Sequence, residues 1–125
     1  TAVEELLRFD SPVQRTARIT NAEVELGGKV LPKGAFVVAA IGAANRDPAH
    51  FADPDRLDIA RGDNRHIAFG FGIHFCLGAP LARVEGQIAL QSLLRRMPRL
   101  RFAGPEPEWR ESSTLRGLKA LPVAF

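Results

Sequence analysis

One sulfur dominates the chemistry available to this sequence. Cys76, the only cysteine, sits within Phe69-Gly70-Phe71-Gly72-Ile73-His74-Phe75-Cys76-Leu77-Gly78. Gly70, Gly72 and Gly78 permit backbone angles and close approaches that a β-carbon forbids. Phe69, Phe71, Ile73, Phe75 and Leu77 interleave with them and can exclude water. Pro80, tolerated in a first helical turn, and apolar residues at Leu81, Val84, Ile88, Leu90, Leu93, Leu94 and Met97 predict a helix directly afterwards. Cys76 therefore precedes a helix N-terminus, where a thiolate is favoured over a thiol. A dry loop presenting one thiolate suits an iron–sulfur bond, with N–H groups between Ile73 and Gly78 expected to donate to the sulfur.

A lone cysteine is ordinarily a small buried hydrophobe, and His74 two residues before it could instead suggest zinc, with His66 as a third ligand. Tetrahedral zinc sites recruit more Cys or His at recurring spacings than this chain has. The spacing of Phe69, Gly70, Gly72, His74, Cys76 and Gly78 decides between these readings. It resembles, without mismatch, the haem-binding signature of the cytochromes P450, Phe-Gly-x-Gly-x-His-x-Cys-x-Gly. The continuation Ala79-Pro80-Leu81-Ala82-Arg83-Val84-Glu85 is similar to that of the bacterial, soluble branch.

The resemblance spans essentially the whole chain but corresponds only to the C-terminal part of the family. It implies an α+β fold: a short N-terminal helix, a small mixed β-sheet, a meander coil, the cysteine loop, a long helix and a C-terminal β-hairpin. Residues 1–125 would be the proximal, haem-side portion of one domain, with the central and N-terminal helices absent. The implied activity is that of a monooxygenase. One oxygen atom of O2 enters a small organic substrate, with electrons from a ferredoxin-type or other donor protein and haem b as cofactor; the piece alone would be inactive. A non-catalytic or degenerate haem-binding module is the alternative, and a zinc or purely structural domain a third.

The elements that must position the sulfur are legible in order. Val3, Leu6 and Leu7 give residues 2–9 a helical stripe, stopped before Pro12. Glu5 and Arg8, three apart, share a face, which by itself describes an exposed pair contributing a few tenths of a kcal/mol (about 0.2–0.5). The resemblance implies instead a buried Glu-x-x-Arg pair, joined by Arg61 into a structural triad. Residues 13–41 read as short strands, with a hairpin signal at Gly27-Gly28, a turn at Pro32-Lys33-Gly34, and a buried strand over Ala35–Ile41. Residues 42–68 are turn-rich, anchored by Phe51, Leu57 and Ile59, with His50 exposed and His66 packed. Beyond Pro98 the chain is again turn-rich, with a half-buried Trp109.

Further roles follow from the resemblance alone. Cys76 would be the axial ligand to haem iron. Arg18 and His74 would meet the haem propionates, and Phe69, Gly70 and Gly78 would line the cofactor. Pro12, Val13, Thr114 and Leu115 would touch substrate. Arg83 would belong to the surface that docks an acidic electron donor. Composition sets outer limits. The net charge of +3 is scattered, with Arg far outnumbering Lys, so nucleic-acid binding is not demanded. No apolar run is long enough to span a membrane and no signal-peptide pattern is present. One cysteine cannot form an internal disulfide, which suits the cytoplasm.

Overall fold

A computed structural model describes all 125 residues, Thr1–Phe125. Helix α1 spans Ala2–Phe9. Strand β1 (Thr16–Ile19) pairs antiparallel with β4 (Phe36–Ala39), and β2 (Val24–Leu26) pairs with β3 (Lys29–Leu31). A short helix α2 (Ile41–Ala44) leads into a long meander; a 3-10 turn (Gly72–His74) and helix α3 (Ala79–Arg96) follow. Strands β5 (Arg101–Phe102) and β6 (Val123–Ala124) close the chain as an antiparallel pair. The α+β class stands. The small mixed sheet, however, is three separate two-stranded antiparallel ribbons.

Local chemistry explains where the elements turn. Gly27 and Gly28 both take positive φ, 58° and 74°, the geometry a two-residue hairpin needs to match strand twist. Register then places Leu26 opposite Lys29 and Val24 opposite Leu31. Helix α3 approaches α1 at Gly86, where a β-carbon would lie 3.2 Å from Val3 Cγ1. A glycine inside a helix costs about 1 kcal/mol against alanine; here it admits the neighbouring helix.

Burial departs from the sequence pattern at α1, β4, the meander and the cysteine loop, which is not dry: Phe71, Ile73, Phe75, Leu77 and Cys76 are all exposed. Glu5 and Arg8 are fully buried, whereas Leu6, on the expected apolar stripe of α1, is exposed. Strand β4, expected to be buried, leaves Phe36 70% and Val38 45% exposed. Of the meander's expected anchors, Phe51 is buried, but Leu57 and Ile59 are exposed. The buried apolar residues reduce to Ile41, Phe51, Ala68 and Ala79. The accessible surface is 9590 Å², against about 6,600 Å² for a compact monomer of this mass. Apolar side chains on α3, β4 and the cysteine loop account for much of the excess.

What organises the chain is polar. Arg8 Nε and Nη2 donate to Glu5 Oε2 and Oε1 at 2.8 and 2.9 Å, and Arg61 Nε reaches Glu5 Oε2 at 3.2 Å. The Asp58 N–H and Asn64 Nδ2 complete the shell at 2.9 and 3.0 Å. Arg8 also donates to the carbonyls of Asn45, Pro54 and Arg56, and Arg61 to those of Ala52, Asp53 and Arg56. The triad implied by the resemblance is thus present in geometry, and it ties the meander to α1. Asn45, at the start of the turn-rich stretch, is also fully buried. Its side chain donates to Ser11 Oγ at 2.8 Å and accepts the Ile67 N–H at 2.8 Å.

Burial disfavours the Glu5 carboxylate, but hydrogen bonds from Arg8, Asp58 and Arg61 outweigh that cost and hold its pKa at about 2, against an ordinary 4.5. A depressed carboxylate stabilises the fold above its unfolded pKa. Glu5 should therefore contribute about 3 kcal/mol above pH 4.5, lost progressively as pH falls towards 2; urea melts across that range measure the slope. Arg8→Ala should cost roughly 3–5 kcal/mol by stranding a buried carboxylate, and Glu5→Gln/Arg8→Ala should recover part of that loss in the same melts.

Candidate functional site

The cysteine loop is held by few bonds of its own. The Cys76 N–H donates to Phe69 O at 3.0 Å and the Phe75 N–H to Gly72 O at 3.0 Å. Gly70 and Gly72 adopt positive φ, 77° and 69°, which folds the loop back so that residues 69 and 76 meet. Cys76 O receives the Ala79 N–H at 3.2 Å and Gly78 O the Ala82 N–H at 2.9 Å, joining the loop to the first turn of α3. Gly78 caps that helix, and a β-carbon there would sit 3.7 Å from Cys76 Sγ.

Cys76 is a free, exposed cysteine. Two of the N–H groups expected to donate to the sulfur are spent elsewhere. Those of Phe75 and Cys76 serve loop carbonyls, and those of Leu77 and Gly78 are taken up by no carbonyl of the chain.

Cys76 lines an open, mostly apolar cavity of about 530 Å³ together with His74, Arg18, Phe69 and Gly70. Pro12, Val13, Leu7 and Ile41 also line it. Seven of the residues singled out from the sequence therefore meet at one place: Pro12, Val13, Arg18, Phe69, Gly70, His74 and Cys76. Thr114 and Leu115 lie just beyond it. Leu115 bridges Val13, and Thr114 O accepts the Gln14 N–H at 2.8 Å. Arg18 spends one guanidinium nitrogen on Thr16 Oγ1 and Ala17 O, at 3.1 and 2.7 Å, while the exposed His74 ring is free of hydrogen bonds within the chain.

Arg83 and His66 converge on Glu4. Arg83 does not present a free charge: its Nε and Nη2 donate to Glu4 Oε1 and Oε2 at 2.7 and 3.0 Å. His66, the third ligand a zinc site would need, is packed as expected but bonds Glu4 Oε2 at 3.0 Å, and no group of three or more His, Cys, Asp or Glu is placed to hold a metal ion. Sequence reasoning missed Glu4, Asn45, Ser11 and Asn64. Glu4, Asn45 and Asn64 find partners in distant segments, while Ser11 donates locally to Leu7 O and accepts from the distant Asn45.

The family model described as Cytochrome P450 matches residues 1–106, and the chain belongs to that family. It is 51% identical over 128 residues to the polyketide biosynthesis cytochrome P450 PksS of Bacillus subtilis, covering all of this chain and 32% of that protein. It is 53% identical to cytochrome P450 107B1 of Saccharopolyspora erythraea, covering 98% of this chain and 31% of the relative. The solved structure of P450BioI in complex with an acyl carrier protein ligated to hexadec-9Z-enoic acid superposes with a TM-score of 0.94 at 46% identity, over 98% of this chain and 32% of that one. The chain spans about a third of the length of the curated relatives it matches.

The family binds haem, and the residues present fit such a group. A free sulfur lines a mostly apolar cavity of about 530 Å³, with a guanidinium and an imidazole in the same cavity able to meet carboxylates. No helix is long and apolar enough to cross a membrane.

The loop geometry makes one residue decisive before any ligand binds. Gly70→Val places a β-branched side chain at positive φ and a β-carbon 3.6 Å from His74 O. It should destabilise the loop by about 1–2 kcal/mol, read as faster hydrogen exchange at the Cys76 N–H with little change in α3.

Proposed function

We propose that the chain supplies the thiolate side of the haem b site of a monooxygenase acting on a small, largely apolar organic substrate. The observation that carries this reading is the free Cys76 sulfur in one apolar cavity with Arg18 and His74, within a ten-residue signature that matches the family at every fixed position. Haem held by a thiolate activates O2 and inserts one oxygen atom into a C–H bond when electrons are supplied.

In this reading Cys76 would hold the haem iron through its thiolate, and the apolar residues lining the cavity would keep water from that bond. The open N–H groups of Leu77 and Gly78 are the donors available to lower the charge on sulfur. Arg18 and His74 orient the group by pairing with its propionates, Arg18 through its forked guanidinium. Phe69 and Gly70 give it an apolar seat, and Gly78 allows α3 to begin close beneath the sulfur. Glu5, Arg8 and Arg61 do no chemistry; they keep the meander and α1 in place behind the site.

Pro12, Val13, Thr114 and Leu115 form one edge of the substrate pocket, held together by the Val13–Leu115 bridge. The names of the relatives refer to polyketide synthesis, biotin synthesis and 6-deoxyerythronolide B, in keeping with an apolar substrate. We assign the electrons to a ferredoxin-type donor. Arg83, with about a third of its side chain exposed, contributes to that docking surface, but Glu4 already balances its charge. The parent would work in the cytoplasm, where a free thiol persists. The wall facing Cys76 would come from segments beyond these residues, so residues 1–125 alone should not turn over substrate.

Cys76→Ser in the haem-loaded protein should abolish the carbon-monoxide difference band from which the family takes its name. Survival of that band in the serine variant would overturn the assignment.

A further inference from the structure

Behind the cysteine loop lies a polar cluster of which only Arg83 has so far been given a role, at the donor-docking surface. Glu4 comes from α1, Arg83 from α3 and His66 from the end of the meander. Arg83 grips Glu4 with both prongs of its guanidinium, at 2.7 and 3.0 Å, and His66 Nε2 meets the same carboxylate at 3.0 Å. The tautomer is fixed by the other ring nitrogen. Nδ1 accepts the Ala68 N–H at 3.2 Å, so the proton sits on Nε2 and is donated to Glu4. The His66 side chain is 2% exposed. Burial pushes the imidazole below its ordinary 6.5 despite the opposing pull of Glu4, while the Arg83 hydrogen bond leads in holding Glu4 below 4.5. The arrangement is an anion between a cation and a neutral donor.

Two of the three residues also touch Phe69. The guanidinium carbon of Arg83 lies 4.8 Å from the centre of the Phe69 ring, and the His66 ring is 6.3 Å away, tilted by 49°. Phe69 meets Phe75 edge-on at 6.4 Å. Its carbonyl accepts the Cys76 N–H at 3.0 Å. The rest of the loop offers little purchase, since Phe71, Ile73 and Leu77 project outward. Phe69 is therefore the point at which the loop is attached to the protein behind it.

We infer that Glu4, His66 and Arg83 are positioning residues, which clamp Phe69 and so fix the distance and angle at which Cys76 presents its sulfur to haem. This inference rests on the reading of Cys76 as the thiolate ligand and extends it to three residues outside the cavity. A planar guanidinium bonded through two nitrogens and stacked on a ring has one favourable geometry, which a lysine ammonium lacks. Glu4 holds that plane in place, and His66 holds the carboxylate.

The test uses the haem-loaded protein reduced chemically, so that no electron-donor protein enters the measurement. Arg83→Lys, Glu4→Gln, His66→Phe and the double variant Glu4→Gln/Arg83→Lys are compared with Val3→Ala, which loosens the α1–α3 contact without touching the cluster. Each cluster variant should lose haem several-fold faster below its unfolding temperature. Part of its carbon-monoxide band should move to that of a neutral thiol ligand, and the double variant should be no worse than the worse single. Val3→Ala, at comparable loss of melting temperature, should keep the wild-type band. If Arg83→Lys does not fold, His66→Phe is read on the same two measures, since it retains a ring against Phe69. Cluster variants with the wild-type band and haem-loss rate would overturn the inference, as would Val3→Ala changing both equally. Wild-type protein without a thiolate band would instead remove the reading of Cys76 itself.

Discussion

A buried carboxylate is the constraint on which the rest of this chain depends. Glu5 is removed from water and must be satisfied within the protein, and it is, by Arg8, Arg61, Asn64 and the Asp58 N–H. The two guanidinium groups have donors to spare, and these reach carbonyls along the meander from Asn45 to Arg56. A coil of that length has no ladder to occupy its backbone polar groups. Here fixed arginine forks take the place of a sheet. Removing one partner costs more than the pair contributes, because the group left behind remains buried.

Helix α1 is consequently a carrier of charge, although its sequence first reads as an apolar stripe. Glu5 and Arg8 face the meander, while Glu4 faces α3 and the cysteine loop. Arg46 adds a further tie, donating to Phe9 O and stacking over the Phe9 ring at 4.0 Å, and Arg116 pairs with Asp10 at the helix end. Three otherwise unconnected segments are thus indexed against one short helix. The ribbons can then be thin: β1 need only deliver Arg18 to the cavity, and Val13 meets Leu115 in a separate bridge at its edge.

The apolar surface follows the opposite logic. Phe71, Ile73 and Leu77 are almost fully exposed, and β4 and the outer face of α3 carry further uncovered apolar residues. Solvent exposure of that extent is unusual for a domain that must be stable in water. The buried charges of the polar hub are satisfied within these residues, while the apolar faces stay uncovered. The sulfur lies on the boundary between the two, tied through Phe69 to the polar side and open towards the apolar one.

What the amino-acid sequence determined by itself was whatever depends on neighbours a few positions apart. The helix at residues 2–9, the Gly27-Gly28 hairpin and helix α3 behind Pro80 all follow from local periodicity, ring constraints and glycine φ, and all are found. The family signature around Cys76 is likewise local. Only the tertiary structure decided which side of α1 is buried, that β4 lies exposed, that Asn45 is a buried bridge, and that Arg83 is already engaged by Glu4. Those outcomes depend on pairs such as Glu4 with Arg83, 79 residues apart, and Glu5 with Arg61, 56 apart. No periodicity encodes such pairs: a charged side chain is buried or exposed according to whether a distant donor arrives to replace its water.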